Sequence, residues 1–138
     1  MKKIFSLAIV LLAFSWANAQ CTIYKTDRAG VSTKNGKSDG TIVYSTDAQG
    51  AKASKIGKVD GTVLYSTDRK GLTPVQKGKF EDGVVYSTDR FGTNAVKVGK
   101  VDKGTVYSTD SYGLNATIVG KVEGDCEAAG ALLLLLIK

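Results

Sequence analysis

The 138 residues contain no histidine, so any chemistry must come from carboxylates, lysines, tyrosines and two cysteines. That removes the commonest general base and zinc ligand, and with it every Ser-His-Asp or Cys-His arrangement. Cys21 and Cys126 are too few and too far apart in sequence to suggest a structural zinc site. What remains is repetitive. Asp27, Asp47, Asp68, Asp89 and Asp110 could line one rim and hold cations through oxygen. The plainer role is that each caps its own turn by accepting backbone N–H groups, and the glycine three residues after each favours that role. Lys37, Lys58, Lys79, Lys100 and Lys121 could attract an anionic ligand; pairing with the acid two positions on, or simple solvation, accounts for them as well. Gly36-Lys37-Ser38 ends like a phosphate loop, but its spacing from Gly30 is wrong and no other Gly-Lys pair is followed by Ser or Thr.

Between each of these aspartates and its glycine lie two positions that differ from copy to copy. In the second to fifth copies they read Ala48-Gln49, Arg69-Lys70, Arg90-Phe91 and Ser111-Tyr112. A turn on a rigid scaffold is where specificity is usually carried. Arg69, Arg90, Phe91 and Tyr112 are therefore the candidate ligand-binding residues, the aromatics being able to stack on a sugar face or a protein partner.

The elements that must position these residues are copies of one unit. Tyr44, Tyr65, Tyr86 and Tyr107 stand 21 residues apart and each opens a Tyr-Ser-Thr-Asp element. Tyr24 opens a first copy that reads Tyr24-Lys25-Thr26-Asp27 and is one residue short before Gly36. Every copy has a glycine six positions after its tyrosine and a later Gly-Lys pair. In the second copy, residues 41–45 are β-branched and aromatic and read as a strand; residues 53–59 supply another, and Asp60-Gly61 turns the chain onward. The expectation is about two short strands per copy. Pro74 belongs outside a central ladder.

A lone hairpin buries too little, so the copies must pack on one another in a closed ring or an open solenoid. The end of the chain favours a ring, because the Ala/Leu-rich residues 128–137 are the reverse of a polar cap. That run is too short to span a bilayer and is expected to plug the core as helix or strand. Residues 1–19 have the basic start, apolar stretch and Ala17-Asn18-Ala19 site of a secretory signal, and residues 20–126 hold the repeats. Removing Lys2 and Lys3 lowers the net charge from +6 to +4. The cations are spread through the copies rather than gathered on one run, which argues against nucleic-acid binding. In an exported chain Cys21 and Cys126 can form a disulfide, and only a closed ring would bring them within reach. A lipidated Cys21 and two free thiols are the competing readings.

Five copies of Tyr-Ser-Thr-Asp-x-x-Gly … Gly-Lys-Val-Asp/Glu, followed by an Ala/Leu-rich tail, resemble the five-fold β-flower family of exported bacterial proteins. The resemblance covers residues 20–138. It implies an all-β, closed five-fold propeller-like ring of two-stranded hairpins with the tail packed on it, and no established activity. A weaker similarity is to the tyrosine-aspartate repeats of large bacterial toxin shells, which wind into an open spiral.

Two functions fit these residues. One is a non-catalytic exported module, needing no cofactor, whose turn loops bind a glycan, a cell-envelope component or a protein. The other is a structural or assembly protein of the envelope that docks through a ring face or the apolar tail.

Overall fold

The computed structural model describes residues 21–137, so the signal-peptide reading of residues 1–19 lies outside the described residues. Ten strands follow in order: β1 (Cys21–Thr26), β2 (Ser32–Ser38), β3 (Ile42–Ser45), β4 (Ser54–Asp60), β5 (Val63–Ser66), β6 (Val75–Glu81), β7 (Val84–Ser87), β8 (Val96–Asp102), β9 (Thr105–Ser108) and β10 (Thr117–Glu123). Each pairs antiparallel with its sequence neighbour, and β1 pairs with β10 to close the sheet into a barrel. The open solenoid is thereby excluded. A short helix α1 (Glu127–Ala131) and a π-helical turn (Leu132–Leu136) complete the chain.

Alternation along the short strands decides what faces inward. Ile23, Val43, Leu64, Val85 and Val106 are fully buried, one from each copy, and the tyrosine after each points outward. Opposite each tyrosine the register slips by one residue, as where Val43 pairs with Gly57 and Tyr44 with Lys55. The extra residue is a β-bulge, which bends and twists the hairpin that carries it. At the opposite end the chain turns tightly. Asp82-Gly83 has positive φ at both residues, as a two-residue hairpin joining right-twisted strands requires. Pro74 lies just before β6 and takes no ladder position.

The shorter first copy absorbs its missing residue in the loop. The later loops each place one non-glycine residue (Lys52, Thr73, Asn94 and Asn115) at positive φ, and the first loop has no counterpart. Its strands are paired as far as Thr26 and Ser32.

About eight strands enclose just enough room for their own side chains, so a ten-stranded barrel needs a filler. The leucine run supplies it. Gly57 faces Leu132, Gly36 faces Leu133, Gly120 faces Leu134, Gly99 faces Leu135 and Gly78 faces Leu136. Successive leucines thus step from one copy to the next, one leucine to each conserved-in-repeat glycine. A Cβ on Gly57 would stand 2.7 Å from Leu132 Cδ2 and 2.5 Å from the Tyr65 carbonyl oxygen, so only glycine fits between strand and plug. The tail is therefore helical and interior: Leu132 and Leu133 are buried, and residues 134–137 are half-buried and packed on the same core. Burying a leucine contributes about 1.5–3 kcal/mol, which makes the run a large part of the stability of a small domain.

Cys21 and Cys126 form a disulfide with Cα atoms 6.2 Å apart, tying the start of β1 to the start of α1. The lipidated and free-thiol alternatives for Cys21 fall with it. Ser38, the pairing partner of Cys21, stands where other copies have Val59, Phe80, Val101 or Val122. It is buried, but its hydroxyl donates to the Ile42 carbonyl and accepts from the Gly40 amide, so it carries no unmet polar group.

Candidate functional site

Up-and-down connectivity sends every loop after a Tyr-Ser-Thr-Asp element to one end of the barrel. The aspartate builds each loop. Asp47 Oδ1 accepts from the amides of Gln49 (3.0 Å) and Ala51 (2.8 Å), while the Gly50 amide donates to the Asp47 carbonyl. Gly50 closes the turn at φ +80°, a conformation open to glycine at no steric cost. Asp27, Asp68, Asp89 and Asp110 repeat the arrangement. Backbone donation from Leu72 and help from the Thr73 hydroxyl hold Asp68 below its ordinary value. The Thr93 hydroxyl and amide do the same for Asp89, and the Leu114 amide and Asn115 side chain for Asp110. The aspartates are turn caps. Among the described residues, no group of three or more His, Cys, Asp or Glu is placed to hold a metal ion.

On these braced loops stand the candidate residues. Phe91 and Tyr112 are each 80% exposed, and the Arg90 guanidinium lies over the Phe91 ring at 5.6 Å. Arg69 is exposed on the third loop. The four are spread over three neighbouring loops and do not converge on one pocket. Sequence reasoning missed their apolar companions: Val31, Leu72 and Leu114, each directly after a loop glycine, are also exposed. Large apolar residues inside otherwise polar turns were the available signal.

The gaps between neighbouring loops are bridged from the outside. Lys34, Lys55 and Lys97 lie along Gly50, Gly71 and Gly113 of the next loop, and Gln76 lies along Gly92. Ile118 holds the corresponding place in the last copy, yet nothing covers Gly30 of the first. A cleft of about 790 Å³ opens there, between the last loop and the shortened first one, lined by Arg28, Gly30, Ala116, Ile118 and Val119 among others.

The repeated lysines stay on the solvated outer surface, Lys100 and Lys121 exposed and the other three half-buried. Of the five, Lys79 alone is ion-paired with the acid two positions on, Glu81, at 3.5 Å. Instead each lysine lies 5.1–5.6 Å from the ring centre of the tyrosine paired opposite it, Lys58 over Tyr65 for example. Cross-strand register puts the two side by side on the outer surface, and the ring face attracts the ammonium. Tyr24 in addition donates to Glu123 at 3.3 Å; desolvation first, and the neighbouring carboxylate second, push its phenol up.

No helix among the described residues is long and apolar enough to cross a membrane. Comparison of the chain with family models, curated proteins and solved structures found no match.

Proposed function

We propose that the protein is an exported, non-catalytic binding scaffold of the β-flower type. Its hairpins form a five-fold, propeller-like ring around the leucine plug, and its loops engage a glycan, an envelope component or a protein. The observation that carries this reading is the pair Phe91 and Tyr112, 80% exposed on loops whose backbones are fixed by aspartate caps. A preformed loop loses little entropy on binding, and aromatic tips supply the contact area. The disulfide is compatible with export to an oxidising compartment. With the tail inside the barrel, the assembly alternative rests on the ring face rather than on the leucines.

The test is binding to isolated envelope fractions and arrayed glycans by the protein and its Phe91→Ala/Tyr112→Ala variant. Binding lost in the variant supports the reading. Binding that the variant retains moves the site elsewhere.

A further inference from the structure

The two ends of the barrel differ in character. All eight of the large apolar side chains exposed among the described residues lie in the loop half, between each tyrosine and its Gly-Lys pair; Phe91, Tyr112, Leu72 and Leu114 lead them. The same segments carry ten lysines and arginines against five carboxylates, and all five are the aspartates that cap the loops. The rest of the described chain reverses the balance, with six cations against eight carboxylates such as Asp39, Asp60, Asp102 and Glu123.

We infer that the loop end docks on the interface of an anionic phospholipid bilayer, with the apolar tips of the third, fourth and fifth loops inserted and the cations against the headgroups. This rests on the reading above that the loops are the binding surface, and it names their partner. Aromatic and aliphatic side chains interleaved with arginine and lysine are what an anionic interface selects, since the tips gain burial while each nearby cation gains attraction from the surface potential. Phe91 with Arg90 stacked on it is such a pair within one loop. The opposite, carboxylate-rich end would be repelled, so the charge asymmetry also fixes the orientation. The second loop, Ala48-Gln49-Gly50-Ala51, lacks a large apolar residue, which tilts the barrel toward the other side of the ring.

Co-sedimentation of the purified full chain with vesicles of phosphatidylglycerol and phosphatidylcholine, against phosphatidylcholine alone, tests it. Binding is expected on the anionic vesicles and is expected to weaken as salt is raised. Phe91→Ser/Tyr112→Ser and, separately, Arg69→Glu/Arg90→Glu should each weaken it by about tenfold or more, with Gln49→Ser as an unaffected control. Unchanged melting temperatures in these variants show that the loops rather than the fold were altered. Binding retained in both double variants places the contact on residues 1–19 or elsewhere and overturns the inference. Absence of vesicle binding overturns it too. If envelope or glycan binding is nevertheless lost with Phe91 and Tyr112, the loops remain the binding surface and only the lipid partner is wrong. If nothing binds, both readings fall.

Discussion

Leu132 and Ile137 press on the same glycine. A Cβ on Gly57 would meet Leu132 Cδ2 at 2.7 Å and Ile137 Cδ1 at 3.5 Å, and the Ile137 amide donates to the Leu132 carbonyl at 3.0 Å. The plug therefore completes a turn in five residues, the hydrogen-bond step of a π-helix. Because Leu132 is fully buried and Leu136 only half so, truncation should be graded. Leu132→Ala is expected to cost about 2–5 kcal/mol and Leu136→Ala distinctly less, measured by urea unfolding.

Gly99→Ala is expected to destabilise the barrel although alanine is a better strand residue by backbone entropy. Its Cβ would fall 2.5 Å from Leu135 Cδ1 and against the Tyr107 carbonyl oxygen, which the ladder holds in place. Overpacking of this kind costs about 1–3 kcal/mol. Gly99→Ala combined with Leu135→Ala should recover part of that loss, which a double-mutant cycle would read directly.

The disulfide spans 105 residues, a separation for which chain entropy gives about 4–5 kcal/mol. The β1–β10 ladder closes the barrel independently of it. Cys21→Ser/Cys126→Ser should therefore remain folded at low temperature, with native circular dichroism, and unfold at a much lower urea concentration. Equal midpoints for the two forms would show that the bond adds nothing to ring closure.

The loop aspartates make a pH prediction with a definite sign. Asp68, Asp89 and Asp110 titrate below the ordinary 3.8 because protonation would cost the bonds they accept. Their stabilisation is present in full above that value and is lost as pH falls through the depressed native one. Amide signals of Leu72, Thr93 and Leu114 should hold constant down to about pH 4 and shift together in stronger acid. In Asp89→Asn the Thr93 signal should lose that transition.

Much of the architecture was legible because the repeat repeats its physics. The β-branched and aromatic run at residues 41–45 marked a strand, found as Ile42–Ser45, and ring closure followed from Cys21, Cys126 and an apolar tail unfit for a cap. The contact of each lysine with a tyrosine was not legible, because sequence spacing points along the strand to the acid two residues on, whereas the tyrosine lies across the ladder. Five leucines in a row have no helical or strand period of their own. Their pitch is imposed by the barrel that surrounds them, and nothing in the run itself announces it. The cleft beside Gly30 was hidden likewise, since it needs a shortened first loop and an uncovering isoleucine, Ile118, to meet across the closure.

One residue of advance along the plug is matched by one hairpin of rotation around it, which is the relation of a screw to its nut. Sliding the thread by one step would set every leucine before another glycine of the same kind, so leucine–glycine contact alone does not choose among five settings. Cys126 acts as the key, because only the first copy offers it Cys21. The same relation ties two quantities that evolve separately. Gain or loss of a 21-residue copy would leave the wall and the thread with different counts, so the number of hairpins can change only together with the pitch of the helix inside.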